Sequence, residues 1–308
     1  MIVALTGGTG GAKLLEGLAA EIDPAELMII CNTGDDAIFH GLYVSPDIDT
    51  ITYTLAGLID PAKGWGIKDD TFNALEQLHR LGADTWFKLG DRDLATHITR
   101  TRLLNEGLTL SQATDGIRCA LGVESIILPM ADERVETRVE TPQGQISFQE
   151  FFVRERWSRE VTAVRFDGAE TSHPTPGVLE AIRRAEAIII CPSNPITSIG
   201  PILAVPGIRS ALTETTAAVV GVSPLIGITA FSGPAHKLMS ATGFEASALG
   251  IAQAYGDFLA ALLIAEEDRG LVEAIAATNI EIACTNIRMT TLADKRRLAR
   301  EVLALVKK

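Results

Sequence analysis

The sequence is poor in aromatic residues and in positive charge. Phe, Trp and Tyr make up 5% of its 308 residues, and 27 Lys and Arg are outnumbered by 39 Asp and Glu, which gives a formal net charge of −12. Binding to nucleic acid depends on clustered Lys and Arg that neutralise phosphates, so this balance predicts no nucleic-acid partner. The hydrophobic residues, 47% of the chain, are mostly aliphatic and are typical of a buried parallel sheet.

The four cysteines form neither a metal-binding nor a disulfide pattern. Cys31, Cys119, Cys191 and Cys284 lie 88, 72 and 93 residues apart, so neither zinc nor a disulfide framework is indicated. The chain also lacks the G-x-S-x-G and H-E-x-x-H motifs, which argues against a nucleophile-elbow hydrolase and a zinc protease.

No segment has the composition of a membrane span or of a secretory signal. The two uncharged segments, 187–208 and 216–236, are interrupted by prolines and do not provide about 20 consecutive apolar residues. The chain opens on the apolar run Ile2 to Leu5, with no basic region before it. We therefore expect a cytoplasmic protein without a membrane partner.

Short apolar runs alternate with longer segments of helical periodicity, which is typical of an α/β fold. Because each run is continuous, we expect strands that are covered on both faces of a mostly parallel sheet. The predicted strands are Ile2 to Leu5, Leu27 to Cys31, Ala187 to Cys191, Ala218 to Val222 and Ile280 to Cys284. The predicted helices include 72–81, a helix that Ser111 precedes and that stops near Gly122, and Leu292 to Val306.

Between Asp132 and Phe152 the pattern changes to an alternation of apolar and polar residues around the turn 142–144. This change predicts a hairpin inserted between the two halves of the sheet. No internal repeat and no low-complexity linker divides the chain. We therefore expect a single Rossmann-like domain over 1–308, its sheet flanked by helices, with a small inserted subdomain that contains the hairpin at about 130–160.

A glycine-rich loop follows the first strand and opens a helix. Glycines allow positive φ and close approach, so the N–H groups of this loop can form an anion-binding nest at the positive end of a helix. The candidate phosphate-binding residues are Gly8, Thr9, Gly10, Gly11 and Lys13. The loop has neither the P-loop spacing nor the G-x-G-x-x-G spacing, and a plain strand-to-helix turn is the alternative.

Four carboxylates follow the second strand: Asp35 and Asp36 after Asn32, then Asp47 and Asp49. They fall where open α/β sheets bind ligands, beyond a C-terminal strand end. Crowded carboxylates repel unless a cation lies among them, and oxygen ligands favour Mg²⁺ beside substrate phosphates. Asp35 with Asp47 is the candidate metal site, and Asp35, Asp36 and Asp47 are candidate catalytic residues. Helix caps and solvated loop acids are the alternative.

A third motif, 88–97, carries cations in an otherwise acidic chain. Lys88 and Arg92 suit a phosphate site, and Arg92 is a candidate catalytic residue. Asp93 and His97 lie four residues apart on the following helix, so they can touch. The alternative is a helix cap at Asp91 with surface ion pairs.

Polar residues also end the most hydrophobic predicted strand. Ser193 and Asn194 follow it and offer neutral hydrogen bonds, as a base or ribose pocket requires. Ser223 and Thr285 end other predicted strands in the same way. The polar strand ends therefore point to one shared crevice.

Taken in order, these motifs resemble the family of 2-phospho-L-lactate transferases, which make the deazaflavin coenzyme F420. The likeness covers essentially the whole chain, and its specific part is the combination of 32–36 with 90–95. The family implies a Rossmann-like fold, a homodimer and Mg²⁺ dependence. It also implies transfer of phospholactate, or a phosphoenolpyruvyl counterpart, from lactyl-2-diphospho-5′-guanosine to a ribityl hydroxyl of the deazariboflavin Fo, with release of GMP.

The resemblance also assigns roles to residues. It implies that Asp49 and Lys88 contact Fo, with His97 grouped beside them, that the Asp35 region holds the metal, and that Asn194 and its neighbours bind the nucleotide. One alternative is a regulatory protein of the same superfamily that binds nucleotide sugars. That alternative does not explain why Asp47 and Asp49 accompany Lys88. The other is an NAD-dependent dehydrogenase, against which the glycine spacing argues.

Overall fold

The central feature of the fold is a seven-stranded sheet with helices on both faces. The structure, a computed structural model, describes residues 1–227, 229–230 and 234–306. The strands are β1 (Ile2–Thr6), β2 (Leu27–Cys31), β3 (Ala37–Phe39), β4 (Leu42–Val44), β5 (Ile126–Pro129), β6 (Glu136–Thr141), β7 (Gly144–Ser147), β8 (Ala163–Asp167), β9 (Ala187–Ile190), β10 (Ala218–Val222), β11 (Leu225–Ile226), β12 (Thr229–Ala230), β13 (Ala261–Ala265) and β14 (Glu281–Thr285). The α-helices are α1 (Gly8–Ala19), α2 (Pro46–Leu55), α3 (Asn73–Arg80), α4 (Asp93–Asn105), α5 (Leu110–Ala120), α6 (Val178–Arg184), α7 (Gly200–Ala204), α8 (Ile208–Glu214), α9 (Ala235–Ala241), α10 (Ala248–Ala254), α11 (Val272–Ala276) and α12 (Leu292–Val306).

The sheet is parallel throughout and has the strand order β14-β13-β10-β9-β1-β2-β5. The chain builds one half outward from β1 to β5, returns to β9 beside β1, and then builds the other half outward to β14. β1 is in register with β2 from Ile2 opposite Leu27 and with β9 from Ile2 opposite Ala187. The ends of β1 and β9 therefore flank the switch point of the sheet, where α/β folds bind their ligands.

Alternate residues of each central strand pack against different helix layers. Leu5 and Ile190 belong to the core shared with α6 to α10, whereas Ala4 and Ile189 belong to the core shared with α1, α2 and α12. All four side chains are buried. Burial on both faces explains why these strands are continuous apolar runs, since each buried aliphatic side chain contributes about 1.5–3 kcal/mol.

The predicted fold class is confirmed. β2 and β10 have the predicted bounds, and the other three predicted strands differ by one residue at one or both ends. The helix predicted over 72–81 is α3, and α12 matches its predicted bounds. α5 begins two residues earlier than expected because Thr109, rather than Ser111, is its N-cap, in a capping box with Gln112.

The predicted hairpin is formed by β6 and β7, which meet at Thr141 and Gly144. A third strand, β8, also pairs with β6, from Glu136 opposite Asp167 to Glu140 opposite Ala163. The inserted antiparallel sheet therefore extends beyond the expected bounds of about 130–160. We refer to residues 136–167, which include a helical turn at Glu150–Arg154, as the appendage.

Within the described residues, no single helix is long and apolar enough to cross a membrane. One bent pair, Pro195–Ala204 with Ile208–Glu214, reaches the length and composition of a span only when the two helices are taken together. Ile199, Ile202 and Ile208 of that pair are buried in the core beneath the sheet.

Candidate functional site

A cavity of about 620 Å³ opens at the C-terminal ends of β1, β2 and β9. Loops that follow these strands form one wall, α2 and α4 contribute a second, and the appendage contributes a third. The structure brings the following predicted site residues together in this cavity: Gly8, Thr9, Gly10, Asp35, Asp47, Asp49, Lys88, His97, Ser193 and Asn194. The ends of β1, β2 and β9 thus share the predicted crevice, whereas Ser223 and Thr285, at the ends of β10 and β14, do not line it.

Four other predicted site residues lie outside the cavity, which corrects our assignment. Lys13 is exposed on α1, and Gly11 packs against Thr6 and Ser193. Asp36 is buried and accepts a hydrogen bond from the Ser45 hydroxyl at 2.7 Å, while Arg92 donates to the carbonyl oxygen of Lys68 at 3.0 Å. Contact with a substrate requires a group that faces the cavity, so we remove these four residues from the candidate site.

The glycine loop is shaped by the close approach of its neighbours. Gly8 begins α1 with a φ of +68°, which favours glycine. A Cβ on Gly10 would lie 2.3 Å from the carbonyl oxygen of Pro192, and a Cβ on Gly7 would lie 2.4 Å from a carboxylate oxygen of Asp47. The missing side chains therefore let the loop pack against Pro192 after β9 and against Asp47 in α2, while the backbone of 7–10 lines the cavity.

Ser193 and Asn194 hold the loops around the cavity in place. The Ser193 hydroxyl donates to the carbonyl oxygen of Gly7 at 2.7 Å and accepts from the N–H of Gly7 at 3.2 Å, so it joins the glycine loop to the end of β9. The Asn194 side-chain oxygen accepts from the N–H groups of Ile196 and Thr197 at 2.9 and 3.3 Å. Both residues therefore support the wall that they line.

Asp47 and Asp35 are buried carboxylates on the cavity wall. Asn32 donates to Asp47 Oδ2 at 2.9 Å, which fixes that carboxylate. Burial raises the pKa of Asp47 to about 6, although hydrogen bonds from Asn32 and the Gly8 N–H favour its ionised form. Burial, followed by the negative charges of Asp47 and Asp36, raises the pKa of Asp35 well above its usual range. The two carboxylates therefore repel each other when both are ionised.

The donor set at Asp35 and Asp47 fits Mg²⁺. Asp35 Oδ1 is buried and has no hydrogen-bond partner among the described residues, so this oxygen is available as a ligand beside a second carboxylate. The described residues contain no group of three or more His, Cys, Asp and Glu side chains arranged to hold a metal ion. Mg²⁺ commonly takes only one or two carboxylates and completes its coordination with water and substrate phosphates. A pair of carboxylates is therefore sufficient.

Asp49 and His97 belong to a buried network on the floor of the cavity. Both oxygens of Asp49 accept hydrogen bonds from the guanidinium of Arg100, one of them at 3.1 Å. His97 lies between two carboxylates, with Nδ1 3.6 Å from Asp49 Oδ2 and Nε2 3.2 Å from Asp93 Oδ2. Asp93 in turn accepts from the Tyr53 hydroxyl at 2.7 Å. The predicted contact between Asp93 and His97 is thus present.

The motif around Gly90 and Asp91 is a capping device. Asp91 accepts hydrogen bonds from the N–H groups of Asn73 and Ala74, at the start of α3, while Asp70 accepts from the N–H groups of Arg92 and Asp93, at the start of α4. This agrees with the helix-cap alternative for the motif. The caps position Lys88, Asp93 and His97, which line the cavity.

Replacing Asp91 with alanine is expected to lower the thermal unfolding midpoint, and by more near neutral pH than in acid. Hydrogen bonds from the Thr71 hydroxyl and the Ala74 N–H lower the pKa of Asp91 to about 2. A lowered carboxylate pKa stabilises the fold above the unfolded value of about 4 and loses that effect as the pH falls toward about 2. Scanning calorimetry across this range, with the exposed Asp115→Ala as control, checks the prediction; a pH-independent difference would contradict it.

Aromatic residues form the part of the site that sequence analysis missed. Although aromatics are scarce, all three tryptophans, Trp65, Trp86 and Trp157, line the cavity. Trp86 packs edge to face with Phe87, and Trp157 packs on Phe152 with ring centroids 5.3 Å apart. The sequence did contain a signal, because three tryptophans are too few to build a core. Tryptophans that are this scarce are candidates for a binding surface.

A parallel α/β sheet with a glycine loop and paired acids at its switch point is typical of enzymes that act on phosphorylated small molecules. A sequence model of the family described as 2-phospho-L-lactate transferase CofD matches residues 2–300. The chain belongs to this family of transferases, as the motifs predicted.

Curated relatives agree over nearly their whole length. A phosphoenolpyruvate transferase from Streptomyces griseus is 44% identical over 311 residues, which cover 99% of this chain and 98% of the relative. A 2-phospho-L-lactate transferase from Methanothermobacter thermautotrophicus is 43% identical over 303 residues, covering 98% and 97%. The names of these two relatives therefore differ in the group that is transferred, phosphoenolpyruvate in one and 2-phospho-L-lactate in the other.

A solved structure supports the fold. A member of the UPF0052 family from Bacillus halodurans aligns with a TM-score of 0.65 at 17% identity and covers 98% of each chain. At this identity the likeness concerns the fold alone.

Proposed function

We propose that the protein transfers a phospholactyl or phosphoenolpyruvyl group from a guanosine diphosphate-linked donor to the ribityl hydroxyl of Fo, releasing GMP and forming the F420 core. Family membership supports the transferase class. The observation that carries the proposal is that one cavity combines a glycine loop, the Asp35 and Asp47 pair, and aromatic walls. The first two suit a diphosphate, and the aromatic rings suit the flat deazaflavin.

The two substrates are assigned to different walls. The backbone at 7–10, with Ser193 and Asn194 beside it, takes the diphosphate and nucleotide, because its N–H groups lie at the start of α1. Fo lies against Trp86 and Phe87, next to Lys88 and Asp49. This arrangement directs the ribityl chain toward the acidic pair between the two walls.

The reaction is an in-line displacement at the phosphorus that carries the three-carbon acid. The ribityl oxygen forms a bond to this phosphorus, the bond from phosphorus to the bridging oxygen breaks, and GMP departs with that oxygen. Asp35 and Asp47 would hold Mg²⁺, which when bound neutralises charge on the phosphate oxygens. The glycine-loop N–H groups stabilise the same charge from the protein side.

The hydroxyl proton passes to a carboxylate of the cavity wall that does not hold the metal. Asp49 is unsuited to this task because Arg100 occupies both of its oxygens. Bound Mg²⁺ would keep Asp35 and Asp47 ionised, and a carboxylate that binds a metal is a weak base. We therefore place proton acceptance on a carboxylate without the metal, while Asp49 orients the acceptor.

The direct test is to incubate the protein with Fo, each candidate donor and MgCl₂, and to follow GMP release together with the mass of the product. We expect GMP and the phosphodiester product in equal amounts, only when Fo and Mg²⁺ are both present, and none in excess EDTA. Binding of GDP without any product from either donor would instead favour a regulatory nucleotide-binding protein. Full turnover in EDTA would contradict the metal assignment.

The resemblance further implies a homodimer, and the proposed location is the cytoplasm. We expect light scattering to give twice the chain mass of 32.9 kDa. A monomer that retains full activity would contradict this part of the proposal and leave the transfer reaction intact.

A further inference from the structure

We infer that Arg156, at the tip of the appendage, binds the carboxylate of the donor's three-carbon acid. Arg156 is exposed and lines the cavity, and it makes no ion pair and no hydrogen bond with any residue that the structure describes. The inference deepens the proposed function and rests on it, because it concerns the donor of that reaction.

The neighbouring arginines differ from Arg156 in that their guanidinium groups have protein partners. Arg154 approaches Asp84 at 3.5 Å and lies 5.9 Å from the centre of the Trp86 ring. Arg159 pairs with Glu155 at 2.8 Å. Of these three arginines, only Arg156 lines the cavity, and it is also the one whose guanidinium is left without a protein partner among the described residues.

The backbone holds Arg156 at the cavity against a conformational cost. Arg156 and Trp157 both have left-handed backbones, with φ of +48° and +47°, which side-chain-bearing residues rarely adopt. Trp157 keeps the turn in place, since its N–H donates to the Phe151 carbonyl at 2.8 Å and its carbonyl accepts from Lys237 Nζ at 2.7 Å. Strain that the surrounding structure maintains at a cavity is typical of a functional position.

A carboxylate is the anion that suits Arg156. The phosphates already have the glycine loop and the acidic pair with its metal, whereas the three-carbon acid has no assigned partner. Lys63, another cation on the cavity wall, pairs with Asp60 at 2.8 Å, and Lys88 is assigned to the acceptor. A guanidinium binds a carboxylate through two parallel hydrogen bonds, and both donor types carry that carboxylate.

The test is calorimetric titration of wild type and Arg156→Gln, in the presence of Mg²⁺ and without Fo, so that the donor is not consumed. The probes are the donor, GDP, and a guanosine diphosphate ester of an uncharged alcohol. Because Arg156→Gln removes charge-assisted hydrogen bonds to the carboxylate, it should weaken donor binding by about 10- to 100-fold. Binding of GDP and of the uncharged ester should be unchanged, and Arg159→Gln should behave as wild type.

Equal donor affinity in wild type and Arg156→Gln overturns the inference while leaving the proposed function standing. A parallel loss of GDP affinity also overturns it, because Arg156 would then serve the phosphates. If wild type binds neither donor nor GDP and forms no product, the proposed function itself has failed. Circular dichroism of the variants confirms that any loss of binding does not come from unfolding.

Discussion

Replacing Asp35 with asparagine is expected to lower turnover by about 100-fold or more while making the metal-free protein more stable. The loss follows from removing a charged ligand of the metal and of the transferring group, which costs several kcal/mol of transition-state stabilisation. The gain follows because Asp35 is buried beside Asp47, and its raised pKa means that the ionised form opposes folding. Steady-state GMP release and urea unfolding in EDTA measure the two effects.

The pH dependence separates this effect from a general change in packing. A carboxylate whose pKa is raised in the folded state supports stability fully below the unfolded value of about 4, and this support is lost as the pH rises. Asp35→Asn should therefore unfold like wild type near pH 3.5 and gain its advantage toward pH 7. Asp36→Asn is the matched control: burial also raises the pKa of Asp36, but its side chain lies outside the cavity.

We expect Asp36→Asn to be stabilised in the same pH range and to retain turnover close to wild type. Loss of turnover in Asp36→Asn comparable to that in Asp35→Asn would return Asp36 to the catalytic set that the sequence first suggested. Wild-type turnover in Asp35→Asn would remove the acidic pair from the mechanism.

The parts of the site that follow the strand ends were predictable because a parallel sheet places those ends along one edge. β1, β2 and β9 were recognisable as apolar runs, so the glycine loop, Asp35 and Ser193 had to converge. Which side chains point into the cavity was not predictable from the sequence. Asp35 and Asp36 are adjacent in the chain, yet Asp35 lines the cavity and Asp36 turns to Ser45.

The parts contributed by the appendage and by α4 depend on contacts between distant segments. Arg100 reaches Asp49 across 51 residues of sequence, and Gln149 of the appendage donates to the Asp35 carbonyl across 114 residues. No local pattern marks either contact. The motif around Asp91 was ambiguous for another reason: the Asp91 carboxylate caps α3, while Lys88 before it and Asp93 after it line the cavity.

Replacing Arg100 with methionine is expected to lower the free energy of unfolding by about 3–5 kcal/mol. Arg100 is fully buried and supplies hydrogen bonds to both oxygens of Asp49, which is itself 4% exposed. Methionine fills much of the volume but leaves the Asp49 carboxylate buried, with the nearest other cation-forming group, His97 Nδ1, 3.6 Å away. An uncompensated buried charge is among the largest costs that a single substitution can impose.

Urea unfolding of three variants identifies the source of this loss. Arg102→Met, two residues further along α4, removes an exposed pair with Glu106 and should cost less than about 1 kcal/mol. The double variant Arg100→Met with Asp49→Asn should recover most of the lost stability, because the asparagine removes the stranded charge along with its missing partner. If the double variant is as unstable as Arg100→Met alone, the arginine acts through packing rather than through Asp49. A loss below about 1 kcal/mol in Arg100→Met would mean that a group other than Arg100 stabilises the buried Asp49 carboxylate.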